Sequence, residues 1–258
     1  MTAGYTEFEF DLPDALLKRL VVVFDALIAA PLIEANVTAI PEEQGIYQLF
    51  LNGEEGHNLV YIGKTDAAAG LRVRLGRHAA KIRNRLNLDP NNVLFKAVRV
   101  YVFTAVDLET QLIEHYGGNR VSWNGSGFGS NDPGRERDTT TYKADHFDTQ
   151  FPIDIGRVLS FTVPVSGSAA EILRVLKNGL PYLIRYQSLR QGARSPHPDL
   201  DATRVILNPS QPLTPESIIA QIIGQLPTGW HATMLPSHVV IYKDDNRRFP
   251  SGRLIARS

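Results

Sequence analysis

Two short stretches of alternating strand residues constrain the fold of this chain more than any other feature of its sequence. They lie at 45–51 and 59–63, and the polar segment NGEEGHN between them has the glycines and asparagines of a turn. This pattern predicts an antiparallel hairpin. With a turn centred near Glu54, Tyr47 and Tyr61 are expected opposite each other on one face. Paired tyrosines on a sheet are more often packing than chemistry, so the hairpin alone assigns no function.

The composition is that of an ordinary globular protein. The chain has 258 residues, of which 43% are hydrophobic and 21% charged, which excludes disordered and fibrous classes. It contains no cysteine, so disulfides, cysteine zinc sites and thiol catalysis are excluded, and a reducing compartment, by default the cytoplasm, is expected. The most apolar stretch, 20–33, is interrupted by Asp25 and Pro31 and is too short to cross a membrane.

The net charge is zero, but the charges are unevenly distributed. Residues 1–60 carry 2 basic and 10 acidic side chains, residues 61–143 carry 13 and 8, and residues 144–258 carry 12 and 9. Positive charge gathered in the middle segment suits a polyanion, because each neutralised phosphate releases condensed counterions. A solvated basic face is the alternative interpretation.

The elements around the hairpin are predicted in the order β-β-α-β-α. A helix at about 14–30 precedes the hairpin, a basic helix follows at 71–86, and a third strand is predicted at 93–103. The last element is a short helix that begins near Asp107, which is a suitable N-cap residue.

Two of these helices bring polar side chains to the edge of an apolar face. Arg74 and His78 are four residues apart, so they lie on one side of the basic helix, beside its apolar stripe. In the short helix Glu109 shares a stripe with Leu112, whereas Glu114 falls on the polar side. A partly buried carboxylate needs a cation or hydrogen-bond donors, because desolvating an unpaired charge is costly. Mg²⁺ is one such partner and an arginine is the other.

The rest of the chain is predicted as a second region of strands and helices. A Gly-rich loop at 123–141 is followed by elements in the order β-α-β-β-α-β, which is the order of a ferredoxin-like layer. The predicted strands are at 157–165, 182–188, 203–208 and 238–243, and the predicted helices are at 168–180 and 214–226. Within the loop, Arg135 and Arg137 could contact a polyanion, and a plain surface loop is an equally good interpretation.

Five separate motif elements agree in order and spacing with one known family. In chain order they are Gly45-Ile46-Tyr47, Tyr61-Ile62-Gly63-Lys64, Arg74 with His78, Leu108-Glu109, and Trp123-Asn124. Together they resemble the GIY-YIG nuclease superfamily over about residues 43–130. The loop sequence WNGSGFGSNDPGR further resembles the type II restriction-endonuclease branch that cuts CCGCGG-type palindromes. The repair-excision and homing branches are less similar.

The resemblance implies roles for the residues of the hairpin and the basic helix. Tyr47 would align or deprotonate the attacking water, while Tyr61 and Lys64 would hold that water and the scissile phosphate. Arg74 would clamp the non-bridging oxygens, and His78 would support the phosphate or Tyr47. A tyrosine with an ordinary pKa near 10 is a poor base at neutral pH, so Arg74, His78 and the metal are expected to lower the pKa of Tyr47.

The resemblance also implies a metal cofactor and a DNA substrate. Glu109 would bind a single Mg²⁺, replaceable by Mn²⁺, at the leaving 3′-oxygen, and Asn124 would steady the site. Four further arginines are candidate DNA contacts: Arg72, Arg77, Arg135 and Arg137.

The expected architecture is α+β with three parts. They are an N-terminal helical segment at 1–42, a GIY-YIG nuclease core at 43–154 with a small antiparallel sheet flanked by helices, and the ferredoxin-like domain at 155–258. The last part matches no family and is expected to serve target choice or dimerisation.

The expected function is that of a restriction endonuclease. The chain would cut double-stranded DNA at specific sites as a homodimer in host defence, with a cognate DNA methyltransferase acting on the same site. The alternatives are a nuclease that depends on modified or structured DNA, and a DNA-binding module whose nuclease fold no longer cuts.

Overall fold

The computed structural model describes residues 4, 11–54, 56–65, 69–101, 108–117, 121–129, 132–190, 193, 195–244 and 246–258. Within these residues, helices are combined with mainly antiparallel sheets, which confirms the predicted α+β class. The chain divides into two compact units, one comprising 1–79 with 89–124 and the other 80–88 with 125–258. The predicted nuclease core at 43–154 therefore takes residues from both units.

The first unit contains one sheet and the helices that cover it. In chain order its elements are α1 (Leu12–Ala26), β1 (Ala30–Pro31), α2 (Glu34–Thr38), β2 (Gly45–Gly53), β3 (Gly56–Lys64), α3 (Leu71–Arg83), β4 (Val93–Arg99) and α4 (Leu108–His115). Residues 80–83, the last four of α3, belong to the second unit. The strands lie in the order β1-β4-β2-β3, and every neighbouring pair is antiparallel. The predicted N-cap residue of α4, Asp107, and the last two residues of the predicted strand 93–103 lie outside the described residues.

Alternation along β2 and β3 gives this sheet two different faces. Ile46 and Ile62 lie on the face that packs with α1 and α4 in a buried apolar cluster. Gly45 and Tyr47 lie on the other face, where α3 packs. Gly45 approaches α3 so closely that a Cβ there would lie 2.6 Å from a methyl group of Leu71, and glycine therefore allows this contact.

The hairpin has the predicted faces but a different register. Tyr47 pairs with Gly63, and Tyr61 pairs with Leu49, so the tyrosines are diagonal neighbours and the prediction that they lie directly opposite is wrong. Gly53 pairs with Gly56, so the turn is centred half a residue later than the predicted centre at Glu54. A register shift after Leu49 adds the remaining displacement between Tyr47 and Tyr61. Because the offset is even, both phenols stay on one face.

The second unit contains two sheets. Its elements are α5 (Phe147–Gln150), β5 (Ser166–Ser168), α6 (Ala169–Gly179), β6 (Leu183–Tyr186), α7 (Pro198–Ala202), β7 (Arg204–Ile206), α8 (Pro215–Gln225), β8 (Trp230–Met234), β9 (His238–Lys243) and β10 (Arg253–Arg257). One sheet has the order β10-β8-β9-β6, with β6 parallel to β9, and the other pairs β5 with β7.

The ferredoxin-like arrangement is not confirmed, because the strands divide between these two sheets. The segment 157–165, predicted as a strand, contains no strand in the structure. Pro164 lies in this segment and cannot donate a ladder hydrogen bond. Strands β8 and β10, which complete the larger sheet, were not among the predicted elements.

The two faces of the larger sheet differ in polarity. Val239 and Ile241 of β9 belong to a large apolar core to which α6 and α8 also contribute. The alternate residues His238, Val240 and Tyr242 face the opposite side, where polar groups are buried. Among the described residues, no helix has the length and apolar character needed to cross a membrane.

Candidate active site

Three aromatic rings and one guanidinium meet on the α3 face of the hairpin. The hydroxyl oxygen of Tyr47 lies 2.7 Å from Nε2 of His78, and Nε of Arg74 donates to the same oxygen over 3.4 Å. The ring centroids of Tyr47, Tyr61 and His78 are 5.5 to 6.0 Å apart. All three rings are buried. The structure thus brings four of the predicted site residues into one group, which we call the tyrosine cluster: Tyr47, Tyr61, Arg74 and His78.

Local geometry explains why these residue types meet here. Arg74 and His78 are one helical turn apart on α3, which directs both toward the sheet. Gly63 lies across from Tyr47, and a Cβ at Gly63 would be 2.5 Å from the Tyr47 hydroxyl oxygen and 2.8 Å from the Tyr61 ring. The missing side chain therefore makes the space that the Tyr47 phenol occupies, and this close approach explains the glycine of the second motif.

Lys64 and Glu109 form a looser pair at the end of the same hairpin. Their Nζ and Oε2 atoms are 3.7 Å apart, and the side chains are 47% and 24% exposed. Lys64 ends β3, and Glu109 lies in the first turn of α4. The half-buried position of Glu109 and the exposed position of Glu114 confirm what the apolar stripe of this helix predicted. The charge of Glu109 also reaches the tyrosine cluster, where it contributes to the raised pKa of Tyr61.

The expected activation of Tyr47 is not present in the polypeptide alone. Burial is the largest influence on both phenols, and it raises the pKa of Tyr47 and the pKa of Tyr61. Arg74 acts in the opposite direction at both, but its effect is smaller. Arg74 thus lowers the pKa of Tyr47 as predicted, but the net direction is upward, because desolvation of a fully buried phenol outweighs one half-buried guanidinium.

Asn124 contacts the backbone of β3. Its Oδ1 accepts a hydrogen bond from the Ile62 amide over 2.9 Å, and its Nδ2 donates to the Ile62 carbonyl over 2.8 Å. The neighbouring amide of Trp123 donates to the carbonyl of Val60 over 2.8 Å. Asn124 therefore holds the strand between Tyr61 and Gly63 in place.

The four arginines predicted to contact DNA have different surroundings. Nε of Arg72 donates to the carbonyl of Ile40 over 2.6 Å, whereas Arg77 is exposed. Arg135 and Arg137 lie in a short 3-10 helix, Arg135–Asp138, which belongs to the second unit, and Arg135 is exposed. The tyrosine cluster and these last two arginines thus belong to different units.

Thr65 is a buried polar residue of this region that the sequence did not single out. Its hydroxyl accepts a hydrogen bond from the Gly45 amide over 2.8 Å, and its own amide donates to the Gly45 carbonyl over 2.9 Å. The contact closes the open end of the hairpin. A threonine directly after the second motif is the available signal, but strand alternation alone does not distinguish it from packing.

The donors near the hairpin fit one kind of metal site. The described residues contain no group of three or more His, Asp or Glu side chains able to enclose a metal ion. Mg²⁺ commonly keeps several waters and binds through one or two carboxylates together with substrate phosphates. Glu109, half-buried and held 3.7 Å from a cation, suits such a site, in which water and a substrate phosphate would supply the other ligands.

Comparison with known proteins adds no family assignment. No protein-family model matches this chain, and no curated protein matches it. The functional argument therefore depends on the motifs and on the geometry of the tyrosine cluster.

Proposed function

We propose that the protein is a Mg²⁺-dependent endonuclease that cuts double-stranded DNA at specific sites. The observation that carries the proposal is the tyrosine cluster, in which Tyr47 meets both His78 and Arg74 over the hairpin. Hydrolysis of a phosphodiester needs an activated water, positive charge at the phosphate and stabilisation of the leaving oxygen. Each of these needs has a candidate group in the first unit.

Tyr47 and His78 are arranged to move a proton. With Nε2 of His78 unprotonated, the Tyr47 hydroxyl donates to it over 2.7 Å. The Tyr47 oxygen can then take a proton from water while its own proton passes to Nε2. The hydroxide oxygen forms the new bond to phosphorus as the bond from phosphorus to the 3′-oxygen breaks, and the 3′-oxygen leaves with the bonding electrons. This relay avoids a free tyrosinate, which burial disfavours by raising the pKa of Tyr47. The raised pKa therefore favours a neutral tyrosine that works together with the imidazole.

Positive charge for the phosphate comes from Arg74 and Lys64. The Nε donor of Arg74 contacts Tyr47, and a guanidinium has further N–H groups for the non-bridging oxygens. Lys64 is half exposed at the end of β3, where a phosphate can reach it. A divalent metal held by Glu109 would supply counter-charge to the leaving 3′-oxygen.

A palindromic target would require two such sites. A double-strand cut at a two-fold symmetric sequence is made by two active sites related by a two-fold axis, so we propose that the protein acts as a homodimer. In a restriction system a methyltransferase would protect the same sequence, and the second unit would serve target choice or dimer contacts.

The test is to incubate the protein with unmethylated and methylated DNA, with and without Mg²⁺, and to sequence the fragment ends. We expect discrete, palindromic ends that form only with Mg²⁺. Cutting restricted to modified or damaged DNA would instead indicate a modification-dependent or structure-dependent nuclease. Tight binding without cutting would indicate a DNA-binding module and would contradict the proposal.

A further inference from the structure

A network of buried polar groups in the second unit is centred on Asp138, the last residue of the 3-10 helix. Asp138 has no solvent exposure. Its Oδ1 accepts a hydrogen bond from Nη1 of Arg185 and lies 2.8 Å from Nε2 of His238, while Oδ2 accepts from the Tyr242 hydroxyl over 2.9 Å. The carboxylate is therefore held by three side chains from β6 and β9.

The network extends from His238 through Ser237 to Tyr142, which lies four residues after Asp138 in the chain. Nδ1 of His238 lies 2.7 Å from the Ser237 hydroxyl, which lies 2.7 Å from the hydroxyl of Tyr142. Asp138 and Tyr142 are thus both attached to β9 and the residue before it. We call residues 132–142 the anchored segment.

The combination of serine, histidine and aspartate here does not form a hydrolase site. A nucleophilic serine must itself form a bond to the substrate, but the Ser237 hydroxyl is enclosed between Nδ1 of His238 and the hydroxyl of Tyr142. The network is therefore a means of fixing the anchored segment to the sheet.

The charge of Asp138 is retained in this buried place. Burial alone would raise the pKa of Asp138, but the hydrogen bond from His238, the charge of Arg185 and the hydrogen bond from Tyr242 together lower it. A buried carboxylate that loses one partner becomes costly, so the network holds the segment in one conformation.

The anchored segment carries two arginines, of which Arg135 is exposed and Arg137 is half-buried. The Arg137 guanidinium lies 5.6 Å from the centre of the Tyr142 ring. Asp132, which is 66% exposed, contacts Arg185 over 2.9 Å from the solvent side. A backbone that is already fixed loses fewer conformations when a partner binds to its side chains, so the entropy cost of binding is lower.

We infer that Asp138 is a positioning residue that fixes the anchored segment as a rigid arm and presents Arg135 and Arg137 to DNA. Guanidinium groups match the paired acceptors of phosphates and of guanine edges. The inference rests on the proposed endonuclease function and deepens it, since it gives the second unit a specific DNA-contacting element.

The test uses the full chain, a duplex that the wild type cuts and a scrambled duplex of equal length. Arg135→Ala should weaken binding to the cut duplex about 5-fold to 100-fold, the range for loss of one specific arginine contact. Asp138→Asn and the milder Tyr242→Phe should also raise KM, with kcat at saturating DNA within about 3-fold of wild type. They should also speed amide hydrogen exchange within 134–142. Glu216→Gln, at an exposed ion pair of the second unit outside the anchored segment, is the control and should bind within about 2-fold of wild type.

A double variant separates positioning from general stability. If Asp138 acts through Arg135, both substitutions remove the same contact to DNA. The double variant Asp138→Asn with Arg135→Ala should therefore bind the cut duplex as tightly as the single variant of lower affinity. If the wild type cuts DNA, two outcomes overturn this inference but not the proposed function. One is normal affinity of Arg135→Ala for the cut duplex. The other is normal affinity of Tyr242→Phe for that duplex although its amide hydrogen exchange within 134–142 is faster. A wild type that neither binds nor cuts DNA overturns the proposed function and this inference with it.

Discussion

One ion pair from each unit shows two different ways of holding charged side chains. In the first, Lys64 and Glu109 are 3.7 Å apart and partly exposed. In the second, Arg85 and Asp148 are 2.7 Å apart, with only 2% and 5% of their side chains exposed. A close buried pair fixes two segments together, whereas a loose, accessible pair can exchange partners when a phosphate and a cation arrive. Under the proposed function, Lys64 and Glu109 serve a ligand, whereas Arg85 and Asp148 serve structure.

The largest effect on stability is expected at the buried pair of the second unit. Asp148→Ala leaves the Arg85 guanidinium buried without its carboxylate, although Arg85 still donates to the carbonyl of Phe151 over 2.9 Å. We expect a loss of about 3 to 5 kcal/mol in the free energy of unfolding, measured by urea denaturation.

Glu216→Ala is the matched control in the same unit. Glu216 pairs with Arg253 at the same 2.7 Å, but these side chains are 39% and 52% exposed. We expect a change of at most about 1 kcal/mol. Equal losses in the Asp148 and Glu216 variants would show that burial does not distinguish the two kinds of pair.

A second effect concerns the tyrosine cluster. Tyr47→Phe removes the hydroxyl that meets His78 and Arg74, and with it the proposed proton relay. We expect the cleavage rate at saturating DNA to fall about 100-fold or more, with a stability change of about 1 kcal/mol. Tyr116→Phe, which removes a hydroxyl bonded to Asp25 over 2.9 Å, is the control and should cut DNA normally. Normal cleavage by the Tyr47 variant would rule out the relay.

The smallest effect is a loss of stability in acid that should begin in the second unit. Burial lowers the pKa of His146, so the unfolded chain binds a proton more readily than the folded one. Stability is therefore complete above the unfolded pKa of about 6.5 and is lost as the pH falls below it. The lowered pKa of Asp138 adds a further loss below about pH 3.9. Unfolding free energies between pH 8 and pH 5 should decline in wild type and flatten in His146→Gln; identical slopes would contradict this assignment.

Regular local spacings predicted the two pairs of the tyrosine cluster, and the family resemblance implied that the pairs meet. Strand alternation put the two tyrosines on one face, and helix periodicity put Arg74 beside His78 and left Glu109 half-buried. The register of the hairpin was not predictable, because the shift after Leu49 leaves no signal in the residue types. The direction of the pKa change at Tyr47 depends on burial by the whole unit, which no motif encodes.

The network around Asp138 could not be predicted for a different reason. Its partners Arg185, His238 and Tyr242 are 47, 100 and 104 positions away in the chain. Such contacts depend on which strands neighbour each other, and here a ferredoxin-like order was predicted where the strands form two sheets. The helices α6 and α8 were predicted correctly because their apolar periodicity and N-cap residues are local signals.

The most direct test of the proposed endonuclease compares two glutamates of one helix. Glu109→Gln keeps the shape of the side chain but removes the charge that would hold Mg²⁺, whereas Glu114→Gln changes an exposed residue of the same helix. Cleavage with Mg²⁺ and binding without it should be measured for both on the same duplex. We expect Glu109→Gln to bind DNA like wild type and to lose at least about 100-fold in cleavage rate, with Glu114→Gln unchanged. Near-normal cleavage by Glu109→Gln, or loss of cleavage in Glu114→Gln instead, would contradict the account.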